Sequence, residues 1–210
     1  MGSDKLFAVI AGKPVLAHSI SAFDRAECVN EIILVTRAES KARVEALVHS
    51  ENCRGVRVVI GGEHRHDSVR AGLANVSSKM LYVGVHDAAR PLISSIAIAR
   101  VYEQALQYGG AVLAEPVTDT LKKVAMDNLI SESVDRSGVW AMQTPQIFAR
   151  DILQKAYDEL ARRGTAVTDE VSAVQLIGHR IAVVPAEEAN FKITYPRDLE
   201  FAERIIASRG

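Results

Sequence analysis

Two short segments carry the residue types that phosphate chemistry requires. VHDAARP (85–91) follows an apolar run, so it sits where a strand would end. Open α/β sheets bind ligands at the carboxyl ends of their strands, and a carboxylate there, Asp87, can hold a Mg²⁺ that bridges phosphates. Arg90 comes three residues later and could grip an anionic substrate through two parallel hydrogen bonds. The same pair also suits a plainer role, an aspartate capping a turn with an arginine beside it. Both readings are open on these residues alone.

GGEHRHDSV (61–69) lies between a predicted strand and a predicted helix. Gly61 and Gly62 would let the backbone approach a ligand closely, and Asp67 or Ser68 could cap the helix and hydrogen-bond a planar group. A simple strand-to-helix turn would use the same residues. His64 and His66 form an HxH pair with no third ligand nearby, which is a poor zinc site. Further phosphate-grade donors are scattered: Lys5, Thr120, Lys122, Arg136, Thr168 and Lys192. Each by itself is an ordinary solvated group. Thr168 heads TDE (168–170), whose threonine is predicted to cap a helix with acids in its first turn. Lys192 lies in FKIT (191–194), predicted as a short buried strand, where a lysine would need an opposing charge.

These residues must be positioned by an alternation of short apolar runs and amphipathic helices, the pattern of βα units around a largely parallel sheet. Strands are predicted at 31–37, 56–62, 80–87, 111–117 and 181–186. Helices are predicted from Pro14, over 39–50, 67–76, 95–108, 150–163 and 169–177, and from Pro196. The helix over 95–108 should stop at Gly109-Gly110. Residues 119–139 break the rhythm with two mostly polar extended segments around Met126-Asp127-Asn128. They read as a hairpin leaving the body of a single domain over 1–210, with no internal repeat.

Composition narrows the function classes. The chain has 25 basic and 26 acidic residues, so no bulk field draws it to nucleic acid or a membrane, and an anion site must be local. Cys28 and Cys53 make no disulfide framework and no CxxC pair, which favours a reduced, cytoplasmic setting. No apolar run approaches the roughly 20 residues of a membrane span, and no signal-peptide pattern is present. A GxGxxG motif is absent, which argues against a dinucleotide-dependent oxidoreductase.

The order of the motifs says more than any one of them. GGEHRHDSV, VHDAARP, PVTDTLKK, VDRSGVWAMQTPQIF, TDEVSA and NFKITYPRDL follow one another as in the 2-C-methyl-D-erythritol 4-phosphate cytidylyltransferases, which the chain resembles over essentially its whole length. The resemblance implies a Rossmann-like nucleotidyltransferase fold with a mostly parallel sheet, and a homodimer joined through a β-arm at 119–139. It implies transfer of CMP from CTP to methylerythritol phosphate, with Mg²⁺, in the non-mevalonate isoprenoid route.

It also assigns roles. Lys5 and Lys192 would act on the reacting phosphates, and Gly61, Gly62 and Ser68 would read the cytosine and ribose. Asp87 and Arg90 would lie near the metal and the sugar phosphate. Thr120, Thr168 and Lys192 would line the acceptor pocket, and Arg136 would reach across from the other subunit. Family members carry a strand and an AAGxGxRMG loop ahead of the segment matching Ser3, so Met1-Gly2 corresponds to the end of that loop. The chain is therefore expected to lack the central first strand and the phosphate cradle. A ribitol 5-phosphate cytidylyltransferase and a non-catalytic remnant are the alternatives that these residues leave.

Overall fold

The computed structural model describes residues 3–51, 53 and 55–209; Met1 and Gly2, matched above to the nucleotide loop, lie outside them. After a 3-10 turn at Ser3–Phe7, the short strands β1 (Val9–Ile10) and β2 (Lys13–Pro14) form a tight antiparallel pair. Helix α1 (Val15–Asp24) starts directly behind Pro14, as expected, and buries Leu16 and Ile20. Then β3 (Ile32–Thr36), α2 (Lys41–Ser50) and β4 (Val56–Ile60) form a βαβ unit, with β3 and β4 parallel from Ile32↔Val56 to Thr36↔Ile60.

Helix α3 (Arg65–Asn75) begins two residues earlier than predicted, behind His64, and no side chain caps it. Asp67 and Ser68 therefore lie inside the helix rather than at its cap. Asp67 still suits the first turn, where a negative charge meets the positive end of the helix dipole. Strand β5 (Tyr82–Val85) leads through the Asp87 loop to α4 (Ser95–Tyr108). Ser94 caps α4 by accepting from the Ala97 N–H at 3.1 Å, and Gly109 ends it with φ at +77°, the left-handed conformation that glycine adopts at little cost.

Strand β6 (Gly110–Pro116) enters the hairpin of β7 (Leu121–Val124) and β8 (Ile130–Val134), which pair with each other. Strand β9 (Trp140–Ala149) returns as the longest strand among the described residues. Helices α5 (Arg150–Arg163) and α6 (Glu170–Gln175), strand β10 (Ala182–Pro185) and helix α7 (Pro196–Ser208) complete the chain. FKIT is not a strand. Its Ile193 is buried and donates its N–H to the Ala89 carbonyl at 2.8 Å, while Lys192 points outward.

The fold is α/β, but the sheet is mixed rather than mostly parallel. Its order is β10-β6-β9-β5, with β10 parallel to β6 and β9 antiparallel to both neighbours. The composition of β9 hid it: Pro145 and three buried polar residues interrupt the apolar run that a central strand usually shows. Helices cover both faces. α1 and α4 pack with Ala111, Leu113 and Val184 on one, while α3, α5 and α6 gather around Phe148 on the other.

The β3–β4 pair stands apart from the four-stranded sheet. Between β3 and β5 runs a cavity of ≈ 560 Å³, lined by Ile33 and Val35 on one edge, Val83 and Val85 on the other, and Leu16 and Leu73 from the helices on its two faces. Arg65, just past β4, comes within 3.8 Å of Asp87, just past β5, so the two groups of strands end on the same side. No strand among the described residues lies between β3 and β5.

Candidate active site

Asp87 is the hub. Its position after β5 is fixed by its backbone, because its N–H donates to Thr144 Oγ1 at 3.0 Å. Its carboxylate accepts from Lys192 Nζ at 2.9 Å and faces Arg90 Nε at 3.6 Å and Arg65 Nη2 at 3.8 Å. Burial alone would raise the Asp87 pKa, but Lys192 above all, then Arg65 and Arg90, outweigh it and hold the carboxyl below its ordinary value. Lys5 joins the group by donating to the Ile193 carbonyl at 2.9 Å, next to Lys192. Glu170 lies on the far side of Arg65, Glu115 interacts with Arg90, and Asp198 interacts with Lys5, so acids and bases alternate around the cluster. The chain is nearly neutral as a whole, and Lys5, Arg65, Arg90 and Lys192 are brought together here from four separate segments.

Strand β9 supplies the scaffold, through residues whose positioning role was not read from the sequence. Thr144 bridges Asp87 and His86, accepting from the Asp87 N–H and lying 3.0 Å from His86 Nδ1. Burial lowers the His86 pKa to about 4, so the ring is neutral. One arrangement then satisfies it: Nε2–H donates to the Arg90 carbonyl at 3.3 Å, and Nδ1 accepts from the Thr144 hydroxyl. Gln143 Oε1 accepts from Asn190 Nδ2 at 2.9 Å, which anchors the loop leading to Lys192. Gln146 Oε1 accepts the Glu170 and Val171 N–H groups, both at 3.0 Å, and so docks the start of α6. Three buried polar side chains on one strand thus hold three separate loops. The signal in the sequence was the QTPQ run itself, too polar for a strand chosen for packing alone.

Arg65 is a further residue not singled out earlier. It sits between His64 and His66, whose rings stack at 5.5 Å instead of converging on a metal. Its guanidinium forms a two-pronged pair with Glu170, at 2.6 and 2.8 Å. Burial would lower the Arg65 pKa, but the Glu170 hydrogen bonds and charge hold it above the ordinary arginine value.

The remaining expected residues divide. Gly61 and Gly62 make room for α3 itself: a Cβ on Gly61 would meet Ser68 Oγ at 2.4 Å, and one on Gly62 would meet Asp67 Cβ at 2.4 Å. Ser68 lines the cavity between β3 and β5. Arg90 is only 12% exposed at its side chain, and its Nη1 donates to the Asn190 carbonyl at 2.8 Å. Thr168 does not cap α6. Asp169 does, accepting from the Ser172 N–H at 3.0 Å, because its carboxylate is the stronger acceptor one residue nearer the helix. Thr120, Arg136 and Thr168 are exposed, and no hydrogen bond or ion pair among the described residues ties them to Asp87. Nor do the described residues gather three metal-ligating side chains; Asp87 offers one carboxylate, which is what Mg²⁺ commonly takes from a protein when phosphates supply the rest.

Residues 1–208 match the family model described as IspD, 2-C-methyl-D-erythritol 4-phosphate cytidylyltransferase. A protein of that name from Dehalococcoides mccartyi is 37% identical over 100% of this chain and 90% of its own length. A bifunctional IspD/IspF enzyme from Desulfotalea psychrophila is 38% identical over 98% of this chain, which spans about half (52%) of that longer protein. The crystal structure of 2-C-methyl-D-erythritol 4-phosphate cytidylyltransferase from Thermus thermophilus superposes with a TM-score of 0.84 at 32% identity, covering 98% of this chain and 95% of that one.

Proposed function

The chain belongs to the 2-C-methyl-D-erythritol 4-phosphate cytidylyltransferase family, and we propose that its transfer of CMP from CTP to methylerythritol phosphate runs at the cluster around Asp87. The observation that carries this placement is the meeting of Lys192 and Asp87 at 2.9 Å, with Lys5 fastened to the neighbouring Ile193 carbonyl. Two distant stretches of chain and the carboxyl end of β5 thereby bring their cations to one corner.

The reaction needs little covalent help. A phosphate oxygen of the acceptor attacks the α-phosphorus of CTP in line, the α–β bridging bond breaks, and pyrophosphate leaves with the electron pair. The nucleophile is already ionised, so no strong general base is needed. The task is to hold two anions together and neutralise the charge that builds between them. Lys5 and Lys192 suit the reacting phosphates, and Arg90 suits the acceptor's phosphate. Gly61, Gly62 and Ser68 form the edge on which the cytidine rests, while Thr120 and Thr168 complete the acceptor pocket. Asp87 is the residue that would hold Mg²⁺, which when bound supplies charge neutralisation at the phosphates.

A homodimer is part of the same reading. The hairpin of β7 and β8 exposes Val124, Met126, Leu129 and Ile130, an apolar surface that a second copy would bury. Such a partner would bring Arg136 to the neighbouring acceptor pocket. A cytoplasmic setting fits two free cysteines and the absence, among the described residues, of any helix long and apolar enough to cross a membrane.

The test is pyrophosphate release from CTP with Mg²⁺, using methylerythritol phosphate or ribitol 5-phosphate as acceptor. Release with methylerythritol phosphate is expected. Release with ribitol phosphate alone, or with neither, would overturn the assignment.

A further inference from the structure

A carboxylate in the interior demands an explanation, and Glu170 is fully buried in the first turn of α6. Three neighbouring side chains contact it. Arg65 holds both its oxygens, the Tyr157 hydroxyl donates to Oε1 at 3.1 Å, and Gln146 from β9 accepts its backbone N–H. Replacing such a pair with apolar residues is often neutral or better for stability, so packing does not require a charge here. What the charge does achieve is directional. Arg65 is held by Glu170 through both Nη1 and Nη2, and the same Nη2 lies 3.8 Å from Asp87, between the two carboxylates. About a third of its side chain (34%) remains exposed, so it is anchored from within while facing the site.

We propose that Glu170 is a positioning residue for nucleotidyl transfer, and that it acts through Arg65: the buried Arg65–Glu170 pair keeps the guanidinium from collapsing onto Asp87, leaving that carboxylate to Lys192. Without Glu170's negative charge, Arg65 gains an incentive to pair fully with Asp87 and compete with Lys192 for it. Tyr157 donates to one carboxylate oxygen while Gln146 docks the backbone of α6, and together they keep Glu170 facing Arg65. This inference rests on the functional reading above, because it presumes that the Asp87 cluster is where transfer occurs.

The experiment is a cycle of Glu170→Gln, Arg65→Gln and the double variant, assayed for pyrophosphate release with CTP and methylerythritol phosphate, with thermal denaturation in parallel. For Glu170→Gln the expected result is a fall in kcat of about 10- to 100-fold, with KM for the acceptor moved less than about 3-fold, as for a lost electrostatic contribution transmitted indirectly. In the Arg65→Gln background, Glu170→Gln should cost no further kcat, because the two residues act as one unit. A lower melting temperature with kcat within about 2-fold, or additive losses across the cycle, would overturn the proposal and leave Glu170 a purely structural group.

Should Glu170→Gln fail to fold, Tyr157→Phe takes its place. It keeps the charge and removes one hydrogen bond, and about a 3-fold fall in kcat at unchanged KM is expected. An unmoved kcat in that variant would overturn the proposal equally. If the wild-type chain releases no pyrophosphate, the functional reading fails first and the proposal with it. Loss of the proposal alone is recognised by an active wild type with unaffected variants.

Discussion

Lys192 and Asp87 lie 105 positions apart in the chain, and their side chains meet at 2.9 Å, Nζ to Oδ2. The lysine side chain remains 44% exposed while the aspartate is mostly covered, so the ammonium can turn from its partner toward an incoming phosphate. A lysine sealed inside a strand could not do so. The irregular backbone of FKIT therefore matters: Ile193 anchors the segment, and its neighbour is left free to face the site.

Lys192→Ala should lower kcat by about 100- to 1,000-fold, the usual loss for a donor aimed at charge developing in the transition state. Lys192→Arg should recover part of it, since an arginine keeps the charge but not the compact geometry. Pyrophosphate-release kinetics with circular dichroism decide the matter. A loss under about 3-fold in a folded Lys192→Ala variant would remove Lys192 from the chemistry.

Thr144→Val keeps the shape of β9 but deprives the Asp87 N–H of its acceptor and His86 Nδ1 of its donor. Leaving such groups unsatisfied costs about 1–3 kcal/mol, visible as a lower denaturant midpoint. Because the Asp87 loop is also released, kcat should fall several-fold. Unchanged stability would show that the threonine hydroxyl does not hold this loop.

Lys192 and Thr144 differ in how far the local sequence reveals them. Lys192 was legible from a local conflict, a lysine among apolar neighbours, although the element assigned to it was wrong. The role of Thr144 was not legible, because its partner is 57 positions away and only pairing of β9 with β5 brings them together. The same holds for Arg65 and Glu170, separated by 105 positions. Helix α4 and its glycine stop were readable because period and cap are local properties of the chain. The mixed sheet was not, since strand direction is set by tertiary pairing rather than by any residue of β9.

Acid should destabilise the fold over a defined window. His86 has a folded pKa of about 4 against 6.5 in the open chain, so the unfolded state binds its proton first as pH falls. The stability held above pH 6.5 is lost between there and about pH 4, by about 3 kcal/mol in all. Asp87, held below its ordinary value, adds a loss in the same direction at lower pH. Melting temperature measured from pH 7.5 to 4 should show the slope, and His86→Asn should flatten it. An equal slope in the variant would place its origin elsewhere.

The hairpin gives the remaining prediction. Met126→Asp with Ile130→Asp places like charges on the exposed apolar surface of the β7–β8 turn. Sedimentation should then show monomers, against the dimer expected of the parent chain, with kcat reduced in step if Arg136 serves the neighbouring pocket. A parent that is monomeric at micromolar concentration would contradict the dimer.

The cavity between β3 and β5 has a mechanical consequence. Hydrogen bonds between strands normally weld a sheet into one cooperative block. Here that weld is interrupted, and side-chain packing by α1 and α3 takes over the task of joining the two groups of strands. Packing of that kind yields more readily than a ladder, so the β3–β4 unit with α2 can open as a sub-global unit ahead of the rest. The outer end of that seam lies beside Arg65 and Asp87, so the motion would register first as a change in the spacing of those two charges.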